Sequence, residues 1–167
     1  MARYRIAPDR SELWAEARSS LHPINVHTSG FQGEVSVEEA DGRRALALPT
    51  QLEIETGRLK SGHALIDHEL ERKLDARKFP RIRGTVREAS APEGGRQRLR
   101  GELTLHGVTV PLDGDVTVRA LDEDTIEVAG ERVIDMRDFG LQPPRFLMLK
   151  VHPDVRIRAR VIARREG

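Results

Sequence analysis

Apolar and polar residues alternate along almost the whole chain, and that period of two constrains the fold more than any other feature. In residues 99–120, Leu99, Gly101, Leu103 and Leu105 fall on one side and Arg100, Glu102, Thr104 and His106 on the other. Past a corner at residues 106–109 the pattern resumes with Val110, Leu112, Gly114, Val116 and Val118 against Pro111, Asp113, Asp115, Thr117 and Arg119. Neighbouring side chains of a strand point to opposite faces, so this is a hairpin with one apolar face and one wet face. The same alternation runs through Leu13, Ala15 and Ala17, then Leu46, Leu48, Leu52 and Ile54, then Ile82, Gly84 and Val86. It continues in Ile126, Val128, Gly130 and Ile134, with Arg132 breaking the apolar face, and closes with Val155, Ile157, Ala159 and Val161. Shorter strands are expected at Tyr4 and Gly33.

About eight strands with one apolar face each, joined by short turn-rich links such as "ADGR" and "EGG", call for antiparallel neighbours. Open edges are avoided if such a sheet curls shut, and a barrel of about eight strands has an interior just large enough for side chains or one small ligand. A two-sheet sandwich satisfies the same pattern. Gly101 and Gly114 on the inward face favour the barrel, at a bend or beside a guest. The expected class is therefore mainly β: a closed antiparallel barrel with one amphipathic helix packed on it. That helix is read from "SGHALIDHELERKLDARKFP", where Ile66, Leu70 and Leu74 recur every four residues, Ser61 is the expected N-cap and Phe79-Pro80 the stop. A second short helical turn is expected near Ile24 to Gly30.

With 167 residues the chain is read as a single domain over 1–167. A net charge of +1 argues against a general grip on nucleic acid or anionic membrane. No apolar run is long enough to span a bilayer as a helix, and "MARYRIAPDRSELW" has no apolar signal core, so a cytoplasmic location is expected. The absence of Cys excludes disulfides and thiolate chemistry.

The motifs "YRIAPDRS", "GFQGEV", "LDARKFPRIRG", "GELTLHGVTVPL" and "RDFGL" occur in an order and spacing that resembles the YceI-like family across essentially the whole chain. The most specific pieces are residues 103–112, the "KFP" at 78–80 and the "DFG" at 138–140. The resemblance implies a lipocalin-like antiparallel barrel with a helix packed on it, and a long polyisoprenoid bound inside in characterised members. Where the family usually reads His-Ser followed by inward Val and Phe, this sequence has Arg10-Ser11 and then Leu13, Ala15 and Ala17. Smaller residues there imply a larger cavity or a different guest.

The expected ligand-binding residues are the inward set Leu13, Ala15, Ala17, Leu46, Leu48, Leu52, Ile54, Leu103, Leu105, Val116, Val118 and Ile157. To these Phe139, Phe146 and Met148 add a greasy lid or a loop tucked over one barrel end. The guest is an elongated apolar molecule such as a polyisoprenoid, quinone or fatty acid, with a polar head near Arg145 or Lys150 and no required cofactor. No catalytic residue or metal ligand is assigned. His22 and His27, like His63 and His68, are five apart, a spacing that does not point two ligands the same way on a helix. Ser19, Ser20 and His22 lack a nucleophile elbow and read as a polar turn. Arg156, Arg158, Arg160 and Arg164 form a stripe on the last strand, with Arg81, Arg83 and Arg87 as neighbours that either discourage edge pairing or contact an anion. The alternative reading is a filled barrel acting as an interaction module, binding a protein partner or forming a homodimer.

Overall fold

A computed structural model describes residues 2–40, 43–143, 145–146 and 149–166; the side chains of Leu48, Arg145 and Phe146, and all of Met148, lie outside that description. The strands are β1 (Ala2–Ile6), β2 (Glu12–Ser19), β3 (Ile24–Ser29), β4 (Gln32–Ala40), β5 (Arg43–Glu55), β6 (Arg81–Ala89), β7 (Arg96–Leu105), β8 (Val108–Ala120), β9 (Thr125–Asp135), β10 (Arg145–Phe146) and β11 (Leu149–Arg165), with one helix, α1 (Ala64–Leu74). Strands β1, β4, β5, β6, β7, β8, β9 and β11 pair in that order, and β11 returns to β1 through Tyr4↔Arg165 to Ile6↔Ala163, so the sheet closes into an eight-stranded antiparallel barrel. That closure rules out two stacked sheets.

Strand β11 is long enough to serve four partners, β10 pairing with its first residues. Its last residues pair with β1, one flank runs along β9, and residues up to Arg160 pair with β2, which carries β3 beyond it. The segment expected as a helical turn near Ile24 to Gly30 is therefore strand β3. Ile24, Val26 and Thr28 lie opposite Ala17, Ala15 and Leu13, a period of two that pairing with β2 selects over an isolated turn. Ser11 is fully buried beside this junction, accepting from the Ile162 amide at 3.0 Å and donating to the Ala7 carbonyl at 2.9 Å.

The helix is shorter than the sequence pattern implied, about three turns rather than four. His63, not Ser61, is at the N-cap position, because the Ser61 amide and hydroxyl both donate to Asp67, at 2.6 and 2.7 Å. Asp75 ends it in the left-handed conformation, which Asp tolerates better than most residues. Leu70, Leu74 and Ile66 pack against the barrel, whereas Leu65 is exposed. The β7–β8 hairpin turns on His106 and Gly107, both at positive φ, with Leu105 already paired to Val108. The His106 ring packs edge-on against Phe79, 5.0 Å between centroids, a structural role.

Candidate functional site: the barrel interior

Inward residues of β4 to β9 and β11 surround a cavity of about 280 Å³. Its walls are mostly aliphatic: Val35, Leu46, Leu52, Val86, Leu99, Leu103, Leu112, Val116, Val128, Ile157 and Val161. Gly84 decides whether this space is real. It lies on the inward register between Leu52 and Leu103, and a Cβ built there would meet no atom within 4 Å. Gly101 behaves differently: a Cβ there would stand 1.9 Å from the Thr85 carbonyl oxygen, beside an irregularity in the β6–β7 register. Gly101 therefore permits close backbone approach and makes no room for a guest, while Gly84 does make room.

The two ends of the interior are closed by different chemistry. At one end, buried Gln97 reaches from β7 past the end of β6 to β5; its side-chain oxygen accepts from the Leu46 amide at 3.1 Å and its nitrogen donates to the Ser90 carbonyl at 3.0 Å. Strand β5 pairs with β6 only over residues 50–55 among the described residues, so Gln97 supplies a partner that the sheet does not. At the other end Phe139, Leu105, Ile134 and Leu74 are buried in one cluster, with Met136 packed on them.

The wall also parts between β8 and β9. Strands β8 and β9 pair from Ala120↔Ile126 to Val116↔Gly130 and, among the described residues, no further. Below that point β8 remains bonded to β7 and β9 to β11. Arg132, the residue that interrupts the apolar pattern, stands at this seam and donates through Nε to the Asp113 carbonyl at 2.8 Å.

The YceI-like domain model matches residues 4–163. The chain belongs to the YceI-like family. Solved structures agree on the fold: BcnA of Burkholderia cenocepacia superposes with a TM-score of 0.78 at 17% identity, covering 94% of this chain and 98% of that one. A polyisoprenoid binding domain from Saccharophagus degradans gives 0.78 at 15% identity, covering 99% and 100%. The YCEI protein of Campylobacter jejuni gives 0.71 at 13% identity over 86% of each chain. Comparison with curated proteins finds no match.

Within this YceI-like barrel the residues expected to bind a guest separate into groups. Leu46, Leu52, Leu103, Val116 and Ile157 line the cavity. Ile54, Leu105 and Phe139 are core side chains beyond its wall, and Leu13 and Val118 pack partly buried against that core. Ala17 belongs to a separate small cluster with Ile24 and Val151, and Ala15 lies on the β2–β3 ladder opposite Val26, so the small residues of β2 do not enlarge the cavity. Leu48, Phe146 and Met148 fall outside the described side chains, as does the Arg145 head-group candidate; Lys150 is exposed. Sequence reasoning left Val35, Val86, Leu99, Leu112 and Val161 out of the ligand set although each lies on an alternating face.

The remaining candidates resolve into structural roles. Arginines of β11 meet acids on β9: Arg156 is 3.2 Å from Glu131, and Arg160 is 2.7 Å from Glu127. Arg158 lies over the Trp14 ring, 5.0 Å from its centroid. Strand β6 is not beside β11, since β7, β8 and β9 intervene. Its Arg81 and Arg83 meet Glu53, and Arg87 meets Glu102. Among the described residues no three His, Asp or Glu side chains converge to hold a metal ion, and no helix is long and apolar enough to cross a membrane. The Ser19 hydroxyl donates to the backbone carbonyl of His22 while the His22 ring faces the Pro23 oxygen at 3.0 Å, an arrangement without a nucleophile and base pair.

Proposed function

We propose that this YceI-like protein is a non-enzymatic binding protein that shelters an apolar small molecule, of isoprenoid, quinone or fatty-acid type, in the barrel interior. One observation carries the reading: the aliphatic cavity of about 280 Å³ is kept open at Gly84, where an inward Cβ would meet no atom within 4 Å. Apolar space without contents forfeits dispersion contacts, which a guest restores. Each guest methylene removed from water contributes about 0.8 kcal/mol before ordering costs. The polyisoprenoid binding named for the Saccharophagus degradans domain supports the same class of guest.

The test is mass spectrometry of organic extracts from protein purified without detergent, together with thermal shift on adding dodecanoate, farnesol and a short-chain quinone. The reading expects a co-purifying apolar compound or a concentration-dependent rise in Tm with at least one probe. Neither result appearing would overturn it.

A further inference from the structure

Arg132 stands at an inward register, opposite Ile157 on β11 and between Gly130 and Ile134 in the alternation of β9, yet 52% of its side chain is exposed. Both hold because β8 and β9 have parted, and the arginine reaches outward through the opening. Its Nη2 lies 3.5 Å from the Asp113 carboxylate, and its Nε patches the free carbonyl edge of β8. We propose that this seam is the mouth of the cavity, and that Arg132 binds the head group of the guest, a singly charged carboxylate on a chain of medium length. The assignment rests on the cavity being a binding site and specifies what that site takes.

Position comes first. Both lips of the seam line the cavity: Asp113, Gly114 and Asp115 on β8, and Gly130, Glu131 and Arg132 on β9. A Cβ at Gly114 would sit 3.9 Å from Arg132 Cδ, so the arginine stem lies along the rim. The guanidinium is also available. Asp113 already has Arg98, whose Nη2 is 2.6 Å away. Arg132 therefore leaves Asp113 for a guest carboxylate without stranding a charge, and the planar guanidinium suits a two-oxygen acceptor.

Size and charge narrow the guest further. An enclosed apolar space of about 150 Å³ accepts benzene, so 280 Å³ holds on the order of a dozen carbon atoms inside the wall, and a longer chain has to continue out through the mouth. Asp115 and Glu131 at the mouth and Asp135 in the adjoining cleft are each paired with an arginine of their own, Arg98, Arg156 and Arg137, so none of them needs Arg132. With those acids balanced by their own arginines, the single charge of Arg132 matches one carboxylate and undercompensates a multiply charged diphosphate.

Calorimetric titration of the whole chain with dodecanoate and with 1-dodecanol tests this in wild type, Arg132→Gln and Gly84→Phe. Wild type is expected to prefer dodecanoate at least tenfold. Arg132→Gln removes that preference by weakening dodecanoate alone, and Gly84→Phe abolishes binding of both. Equal affinities in wild type, or a preference that survives in Arg132→Gln, overturn the mouth assignment while leaving the cavity reading intact if Gly84→Phe blocks both. If Gly84→Phe binds both as wild type does, or wild type binds neither, the cavity reading fails and the assignment fails with it.

Discussion

Three small residues show how closely the wall and its guest space are set by single side chains. Gly101 and Gly84 stand on the same inward face, yet alanine has opposite consequences at the two sites. At Gly101 the new Cβ meets the Thr85 carbonyl at 1.9 Å, so Gly101→Ala forces the β6–β7 backbone apart and is expected to lower stability by about 1–3 kcal/mol or more. At Gly84 the methyl enters open space and removes unfolded-state entropy, so Gly84→Ala is expected to be neutral or to stabilise by up to about 1 kcal/mol. Urea denaturation of the two variants reads the difference directly, and equal destabilisation would contradict it. Ser11 is the third. Its hydroxyl serves the buried Ile162 amide and the Ala7 carbonyl, so Ser11→Ala leaves a buried donor without a partner. A loss of about 1–3 kcal/mol is expected in the same assay.

At the scale of strands, the wet face is held by cross-strand ion pairs rather than by a free basic surface. Glu127 on β9 sits between Arg119 on β8 and Arg160 on β11, 3.2 and 2.7 Å away. Burial alone would lift its carboxyl, but the hydrogen bond from Arg160 and the charges of both arginines outweigh that and hold it below the ordinary 4.5. A carboxylate depressed in the folded state adds stability that is complete above its unfolded value and lost as pH falls through the folded one. Glu127→Gln is therefore expected to cost roughly 1 kcal/mol at pH 7, given the exposure of both arginines, and the gap from wild type should close as pH drops below 4.5. Melting curves from pH 7 to pH 3 check this; a gap that stays constant would contradict it. The strands were legible in sequence because alternation survives in nearly all of them. Residues 24–29 were misread although Ile24, Val26 and Thr28 alternate with Asn25, His27 and Ser29, because so short a run after a proline turn is fixed as a strand only by the β2 partner beside it. The parted β8–β9 seam was not legible, since pairing partners are set in three dimensions, although Arg132 breaking an apolar face was its visible trace.

For the whole molecule, closure of β1 onto β11 turns eight half-apolar strands into one shared interior, and incomplete filling of that interior leaves the space assigned to the proposed guest. The inward sides of β5, β7, β8 and β11 supplied the cavity walls that the alternation pointed to. Ala15 and Ala17 of β2 went instead into the β2–β3 extension, opposite Val26 and Ile24, while Leu13 packs against the main core without reaching the cavity. Gly84→Phe joins fold to function, since one ring in that space replaces the guest with protein. The decisive measurement is the Tm of wild type and Gly84→Phe, each with and without dodecanoate. Wild type should gain stability with dodecanoate, while Gly84→Phe should melt higher than unliganded wild type and no longer respond. An equal rise in both proteins would contradict the claim that the barrel interior is where the guest resides.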